Sequence, residues 1–336
     1  MINAALIGFG GIAVSHRQAY ANLERQGIAK LVAACDVDPK AFDRKIKINL
    51  DTGTGILDEK LNFYTDLDRM LEKEKIDLID ICLPTYLHAE YASRMLLAGY
   101  NVMSEKPMAL GAEDCEVMLR AARESGKHLM IGQCLRFYPA FDFVKAAIED
   151  GSFGELQSAS FSRLSAPPTW GFENWFMDPE RSGGCMTDLH VHDVDIIRYL
   201  FGEPEAVECR ASSSVSRHDT VHSCFFYGGK PVSAIGDWTL TGMSFRAEAI
   251  IGFERATLKI DGTKLTVYPK DGSESYLAEL CNISGIEGEL AYFSGVITGE
   301  RENTKNPPES AARTIRLVEA LRESADSGGK LIRFEP

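Results

Sequence analysis

Short apolar runs alternate with amphipathic stretches along the first third of the chain. The apolar runs lie at residues 4–7, 31–35, 76–83, 100–103 and 128–132, and they have the length of strands buried on both faces of a parallel sheet. Helical stretches are predicted between them at residues 14–23, 89–98 and 112–125. This alternation predicts an α/β domain with a doubly wound parallel sheet, the Rossmann arrangement, at the amino-terminal end.

The hydrophobic pattern changes its period in the second half of the chain. After a predicted helix at residues 139–148, apolar and polar positions alternate along segments 156–163, 206–214, 221–227, 232–240, 245–252 and 256–260. Such alternation is typical of strands with one buried face, so we predict a second, α+β domain with a large, mostly antiparallel open sheet. A chain of 336 residues suits two domains. We place them at residues 1–130 and 131–336, with the boundary within residues 125–140.

A glycine-rich turn joins the first predicted strand to the first predicted helix. Gly8 would allow a tight turn, Gly10 would let the backbone approach a pyrophosphate, and Ala13 would let the helix pack closely on the strand. The first N–H groups of the helix would point at the phosphates. We therefore predict a dinucleotide site that includes Gly8, Phe9, Gly10, Gly11 and Ile12.

An acidic residue stands at the end of the second predicted strand. The carboxylate of Asp36 can accept hydrogen bonds from the adenosine ribose hydroxyls, and it would repel the additional phosphate of NADP. Strand, turn, helix, strand and acid follow one another within about thirty residues, the length that the dinucleotide unit requires. NAD is therefore the expected cofactor and NADP the less favoured one. Asp38 precedes Pro39 and is expected to begin the next loop.

Two further strand ends carry polar side chains. Because ligands lie at the carboxyl ends of parallel strands, Pro84, Thr85 and His88 are candidates to line the cofactor pocket, although His88 could equally cap or pack near the start of its helix. The next strand ends in Ser104-Glu105-Lys106-Pro107. A proline restricts the residue before it to extended geometry, so Lys106 is expected to hold a fixed position.

A second chemical stretch runs from Ser182 to Leu200. We interpret this stretch as a glycine-containing turn followed by one helix that ends at Gly202. Spacing of i, i+4 and i+7 would place Asp188, His192 and Asp195 on one face. A carboxylate one turn before an imidazole can orient it as a general base; a solvated surface pair is the other interpretation. A zinc site that uses His190 or His192 with Asp188 is disfavoured, because histidines at i and i+2 point to different faces.

Composition and charge argue against some classes of binding partner. Hydrophobic residues make up 45% and charged residues 25%, as in globular proteins. A net charge of -13 argues against a nucleic-acid partner and an anionic membrane surface. The eight cysteines are scattered without metal-ligand spacing, and no long apolar span or targeting pattern stands at the amino terminus, so reduced thiols and a cytoplasmic location are expected.

Taken together, these motifs resemble those of the Gfo/Idh/MocA family of NAD(P)-dependent oxidoreductases. The turn at Gly8, Gly10 and Ala13 comes first, Glu105-Lys106-Pro107 second, and the run of Gly183, Gly184, Asp188, His192 and Asp195 third, in the family's order. Residues 135–139 and 151–155 also look like the family's link between domains. The resemblance covers nearly the whole chain.

The resemblance implies roles for particular residues. Lys106 would hydrogen-bond the reacting hydroxyl, His192 would act as base, and Asp188 would position substrate and base around the nicotinamide, with Glu105 and Lys106 among the cofactor contacts. Arg163 and Trp170, the latter in an aromatic, turn-rich loop, are further candidates for substrate binding; Trp170 matches no subfamily pattern. The sheet face of the second domain would make homodimers or homotetramers, and no metal is expected.

The implied activity is NAD-dependent oxidation of a secondary alcohol on a sugar, sugar acid or inositol-like polyol, or reduction of the matching ketone. Two alternatives stay open. A cofactor-binding sensor on the same fold would bind dinucleotide without turnover. An enzyme that retains its NAD could use transient oxidation to cleave or epimerise a glycoside, with no net release of NADH.

Overall fold

The computed structural model describes residues 1–43 and 61–335. The described chain divides into two compact units, neither of which is continuous in sequence. The first unit comprises Met1–Cys134, Thr169–Trp175 and Ser284–Ala312, and the second comprises Leu135–Pro168, Phe176–Ile283 and Arg313–Pro336. Each unit is built around one sheet.

The sheet of the first unit is parallel and has six strands within the described residues, in the order β3-β2-β1-β4-β5-β6. The strands are β1 (Ile2–Ile7), β2 (Ala29–Cys35), β3 (Asn62–Tyr64), β4 (Leu78–Ile81), β5 (Asn101–Glu105) and β6 (Leu129–Gly132). Its helices are α1 (Ala13–Arg25), α2 (Leu67–Lys73), α3 (His88–Leu97), α4 (Ala112–Ser125) and, much later in sequence, α9 (Gly285–Ile297). This order is that of a dinucleotide-binding sheet, whose ligand lies where the strand order reverses beside β1.

Burial explains why these segments form strands and helices. The residues of β4 are all buried, as the apolar run predicts for a central parallel strand. Along α1 the buried positions are Ala13, His16, Ala19, Tyr20 and Leu23, which is the spacing of one helical face. Helix α1 packs against β2 on one side and α9 on another. The buried face of α1 therefore includes a titratable residue, His16.

The sheet of the second unit is open and mostly antiparallel. Among the described residues it has nine strands in the order β14-β13-β12-β11-β7-β10-β9-β8-β15, and only the β7/β10 pair is parallel. The strands are β7 (Leu156–Leu164), β8 (Ala206–Ser212), β9 (Thr220–Tyr227), β10 (Lys230–Asp237), β11 (Arg246–Phe253), β12 (Ala256–Asp261), β13 (Lys264–Pro269), β14 (Tyr276–Leu277) and β15 (Ile332–Arg333). The predicted fold class is confirmed.

The helices of the second half are α5 (Pro139–Glu149), α6 (Pro179–Ser182), α7 (Gly184–Asp188), α8 (Val191–Phe201) and α10 (Pro308–Asp326). The prediction of one helix through residues 182–200 is wrong, because the helix is interrupted at Leu189 and His190. The N–H groups of both residues donate to the carbonyl oxygen of Cys185, at 3.0 and 2.9 Å, so the regular ladder stops there. Within the described residues, no helix is both long and apolar enough to cross a bilayer.

Candidate cofactor and catalytic site

The glycine turn contains two glycines that are needed for different reasons. Gly8 has a φ of +91°, and a Cβ atom there would lie 2.6 Å from the backbone oxygen of Cys82. Only glycine fits, because both the conformation and the contact with the chain just after β4 exclude a side chain. A Cβ atom on Gly10 would meet no described atom within 4 Å. The space above Gly10 is therefore open, as approach of a pyrophosphate requires.

Helix α1 begins directly after this turn. Its N-cap residue is Ile12, no side chain in the described structure caps the helix, and its first turn carries no acidic residue. The positive end of the helix dipole is thus available to an anion. The residues predicted to hold the pyrophosphate, Gly8 to Ile12, fit an NAD molecule on this geometry.

Asp36 lies beside the turn, at the end of β2. Its Oδ2 atom accepts a hydrogen bond from the N–H of Phe9 at 2.8 Å, and its Oδ1 atom accepts one from the N–H of Asp38 at 2.9 Å. Each carboxylate oxygen retains a further lone pair for a hydroxyl donor. Asp38 in turn accepts from the N–H of Lys40 at the start of a 3-10 turn, Pro39–Asp43, which agrees with its predicted place in the next loop.

His88 joins two loops of the first unit. Its Nδ1 atom lies 2.8 Å from the carbonyl oxygen of Pro107, and its Nε2 atom lies 2.9 Å from that of Leu83. Burial lowers the pKa of His88, although both carbonyl contacts favour the charged ring. The geometry gives His88 a structural role: it ties the loop after β4 to the loop after β5.

Thr85 and Pro84 precede this histidine. Pro84 is the N-cap of a 3-10 turn, Thr85–Leu87. Thr85 is 2% exposed, and its Oγ1 atom has no hydrogen-bond partner among the described residues. A buried hydroxyl without a partner is costly, and a bound cofactor is a natural source of one. Thr85 therefore fits the prediction that it lines the cofactor pocket.

Lys106 follows the last residue of β5, and the Lys106–Pro107 peptide bond is cis. Lys106 is partly exposed, whereas Glu105 is buried. The N–H of Lys106 donates to the Oε2 atom of Glu105 at 3.1 Å. On its other side, Oε1 of Glu105 lies 2.9 Å from Nε2 of His16. The backbone of Lys106 is thereby attached to a carboxylate that is itself fixed.

The remaining predicted catalytic residues, Asp188 and His192, lie in the second unit. Asp188 ends α7 and is 8% exposed, and His192 lies in the first turn of α8 and is partly buried. They belong to two short helices rather than to one helical face. The interruption at Leu189 and His190 separates the two helices.

Two further residues of the prediction belong to buried ion pairs. They are Asp195, predicted on one helical face with Asp188 and His192, and Arg163, predicted to bind substrate. The Nε and Nη2 atoms of Arg136 donate to the two oxygens of Asp195 at 2.8 and 2.6 Å, and the hydroxyl of Thr314 donates to Oδ1 at 2.7 Å. Arg163 donates in the same bidentate manner to Asp193, at 3.0 and 3.1 Å. Such forks orient both partners. The guanidinium predicted to contact substrate is therefore held by Asp193.

His190 lies in the core of the second unit. It is fully buried, with Nε2 2.8 Å from the hydroxyl of Ser223. Burial lowers its pKa to about 4, so the ring is neutral. A Cβ atom on Gly236 would lie 2.8 Å from its Nδ1 atom, which makes glycine the residue that fits there.

Trp170, the second substrate-binding candidate, belongs to the segment Thr169–Trp175 of the first unit and is partly buried. The same segment contains Glu173 and Asn174, whose φ angles are 49° and 54°. Two successive residues in the left-handed region are uncommon outside glycine. They bend the segment sharply.

Sequence reasoning missed three residues of the first unit. His16 lies on the buried face of α1, Asp80 lies in β4, and Glu289 lies in α9, and all three are buried close to Glu105. A histidine at a core position of α1 and a carboxylate inside an apolar strand were the available signals, since buried charges are rare unless they are paired.

Comparisons with known proteins agree with this architecture. The pattern described as an oxidoreductase family with an NAD-binding Rossmann fold, GFO_IDH_MocA, matches residues 2–133. The GFO/IDH/MocA C-terminal domain matches residues 141–268. The chain belongs to the GFO/IDH/MocA oxidoreductase family. The predicted resemblance and the predicted NAD cofactor are thereby confirmed.

Two relatives and one solved structure show what this chain is similar to. Inositol 2-dehydrogenase of Rhizobium meliloti (strain 1021) is 32% identical over 216 residues, which is 64% of this chain and only 59% of that enzyme. D-apiose dehydrogenase of Paraburkholderia graminis is 27% identical over 349 aligned residues, 96% of this chain and 88% of that enzyme. A levoglucosan dehydrogenase in complex with NADH and levoglucosan superposes over 100% of both chains, with a TM-score of 0.82 and 20% sequence identity. This likeness shows that the two proteins share a fold.

Proposed function

We propose that this protein is an NAD-dependent dehydrogenase that oxidises a secondary alcohol of a sugar, sugar acid or inositol-like polyol, or reduces the matching ketone. The observation that carries the proposal is the fixed position of Lys106 at the carboxyl end of β5, in a unit whose glycine turn fits NAD. The names of the inositol and D-apiose dehydrogenases favour a polyhydroxylated substrate. Bound NAD would supply the hydride acceptor.

Lys106 and His192 are proposed as the acid-base groups. The ammonium of Lys106 would donate a hydrogen bond to the reacting hydroxyl oxygen and stabilise the alkoxide that forms as the proton leaves. His192 would accept that proton, since an imidazole is suited to this transfer at neutral pH. Asp188 would orient the imidazole. These roles rest on the match of the three residues to the family motifs.

A panel of polyols, sugars and sugar acids tests the proposal. The purified full-length protein is mixed with NAD and each compound, and NADH formation is followed by absorbance. The best substrate is then used with Lys106→Met, for which we expect kcat to fall by at least about a hundredfold while the Kd for NAD changes little. Lys73→Met, an exposed lysine in α2, is the matched control and should retain wild-type kcat.

The outcomes discriminate between functions. Release of NADH that depends on Lys106 supports the dehydrogenase. Binding of NAD without turnover on any substrate would favour the sensor, and product formation without net NADH release would favour transient oxidation by retained NAD. Wild-type turnover in Lys106→Met would contradict the catalytic assignment.

Assembly into homodimers or homotetramers is proposed as well. Phe226, Ile250 and Tyr268 expose their side chains at 38%, 46% and 44%. They lie on β9, β11 and β13, at positions opposite to the buried row of each strand. A second copy of this chain would cover these exposed apolar side chains. Light scattering of wild type and Ile250→Asp should show an oligomer that the charge weakens; identical masses would contradict this role of the face.

A further inference from the structure

A buried polar cluster lies in the first unit, between α1, β4, β5 and α9. The two ring nitrogens of His16 contact two different carboxylates: Nδ1 lies 2.7 Å from Oδ2 of Asp80, and Nε2 lies 2.9 Å from Oε1 of Glu105. The hydroxyl of Tyr20 donates to the same Asp80 oxygen at 3.0 Å. Glu289 completes the cluster from α9.

The two carboxylates determine the charge of the imidazole. A neutral imidazole has one N–H, whereas a ring that donates to acceptors on both sides is the imidazolium ion. Burial opposes that charge, but the charge of Asp80 and the hydrogen bond to it outweigh burial and raise the pKa of His16 well above its usual range. His16 in turn lowers the pKa of Glu105 against the effect of burial. Asp80, His16 and Glu105 thus form a buried ionic triad.

Glu289 has a different state. It is fully buried, and neither carboxyl oxygen has a hydrogen-bond partner among the described residues. Burial, followed by the charge of Glu105, raises its pKa well above the usual range. A carboxyl group in this position is therefore a neutral acid, because an unpaired buried carboxylate would be very costly.

Glu105 connects this triad to the proposed catalytic lysine. One of its oxygens contacts His16 and the other accepts the backbone N–H of Lys106 at 3.1 Å. His16 belongs to the first turn of α1, the helix that begins at the glycine turn. The same helix therefore presents its amino terminus to the cofactor and its imidazole to the carboxylate that holds Lys106.

We propose that His16 is a positioning residue for Lys106, acting through Glu105. The proposal rests on the proposed function, since it matters for turnover only if Lys106 is catalytic. Held as a cation between Asp80 and Glu105, His16 fixes the Glu105 carboxylate, and this carboxylate fixes the peptide N–H of Lys106. A displacement of about 1 Å at a reacting group can cost two orders of magnitude in rate.

A metal ion is the competing occupant of this cluster. The donor atoms of His16, Glu105 and Glu289 lie within 4.8 Å of one another. A metal ligand must be deprotonated. Both ring nitrogens of His16, however, face carboxylates that accept hydrogen bonds from its N–H groups. Other groups beside the cluster are the Cys82 thiol, whose pKa burial raises to about 12, and Lys106 and His88, whose charges act on Glu105. The negative charge of the carboxylates is thus balanced by the protons of His16 and by the charge of Lys106.

Kinetics of the full-length protein test the proposal. His16→Gln keeps an amide of similar length and removes the cation. We expect its kcat on the best substrate of the panel to fall by roughly tenfold or more, with KM and the Kd for NAD within about twofold of wild type. Glu289→Gln imitates a neutral acid and should retain kcat. His128→Gln, an exposed histidine of the same unit, is the matched control.

A measurement on the wild-type protein covers the case in which His16→Gln fails to fold. Nitrogen NMR of ring-labelled histidine, recorded well above pH 6.5, should show both ring nitrogens of His16 protonated. Its signal should be missing from a folded His16 variant. A single-tautomer neutral His16 would overturn the proposal, as would a stoichiometric divalent cation found by elemental analysis and lost in Glu289→Gln.

The failure of this inference and that of the proposed function are distinguishable. If Lys106→Met is inactive and His16→Gln turns over at the wild-type rate, His16 has no positioning role and the dehydrogenase assignment stands. If Lys106→Met keeps its turnover, the catalytic role of the lysine fails, while NMR still reports the charge of His16.

Discussion

The backbone N–H of Phe9 donates a 2.8 Å hydrogen bond to the Asp36 carboxylate, so the turn expected at the pyrophosphate and the acid expected at the ribose are held by one contact. A second backbone N–H, from Asp38, fixes the other carboxylate oxygen. The acid that we propose to distinguish NAD from NADP is therefore fixed by two backbone N–H groups, which reduces the entropic cost of binding.

Replacement of Asp36 should change cofactor preference more than fold. Asp36→Asn keeps an oxygen that can accept the Phe9 N–H and removes the charge that repels the additional phosphate of NADP. We expect the ratio of kcat/KM for NAD over NADP to fall by roughly tenfold, equivalent to about 1.4 kcal/mol. Asp38→Asn is the control, and an unchanged ratio in Asp36→Asn would mean that the carboxylate does not select the cofactor.

The two glycines of the turn should separate folding from binding. Gly8→Ala places a Cβ atom 2.6 Å from a backbone oxygen at a φ of +91°, so it should lower the free energy of unfolding by about 2 kcal/mol or more. Gly10→Ala meets no described protein atom and should unfold within about 0.5 kcal/mol of wild type, yet lose NAD affinity. Calorimetric titration with NAD and denaturant unfolding check both. Normal NAD affinity in Gly10→Ala would place the pyrophosphate elsewhere.

The buried Arg136–Asp195 pair should contribute strongly to stability. Both side chains are 1% exposed, and Asp195→Asn leaves the Arg136 charge without this counterion. The expected loss is about 3–5 kcal/mol in the free energy of unfolding. Lys230→Gln breaks an exposed ion pair with Glu155 and should cost about 0–1 kcal/mol. Equal effects of the two substitutions in urea unfolding would contradict the structural role of Asp195.

His190 should make the second unit sensitive to acid. Its pKa is about 4 in the folded protein and near 6.5 when unfolded, so the unfolded chain binds more protons between these values. Stability is therefore fully present above pH 6.5 and falls toward pH 4, by at most about 1.4 kcal/mol per pH unit. His16 has a raised pKa and acts in the opposite direction above pH 6.5. In urea unfolding followed by circular dichroism, the pH dependence of stability should lose this part of its slope in His190→Gln; an unchanged slope would contradict the assignment.

Local sequence patterns predict the helices and strands whose own hydrophobic periodicity is regular. Helix α4 lies at its predicted bounds, because its apolar face and its following glycine are both visible in sequence. Helix α9 was missed, since Gly285, Gly288 and Gly295 give it the composition of a loop. It forms through packing on α1 and through Glu287, which accepts hydrogen bonds from Asn22 and Gln26. Tertiary contacts outweigh propensity there.

The candidate site shows the same division. The glycine turn and Asp36 are predictable from their spacing along the chain, and Lys106 from the resemblance of Glu105-Lys106-Pro107 to the family motif. The break at His190 is not predictable from apolar spacing, which runs on through residues 184–200 without interruption. The triad of His16, Asp80 and Glu105 depends on three elements that meet only in the folded unit.

The return of residues 284–312 to the first unit bears on the order in which the molecule is made. As the chain leaves the ribosome, the whole parallel sheet is available long before Glu289 reaches the His16 cluster, and before the Asn306 amide reaches the Ile131 carbonyl at 2.7 Å. The first unit therefore completes its interior only after most of the second unit has been synthesised. A fragment that stops at residue 134 would lack α9 and expose the surface of α1 that it covers.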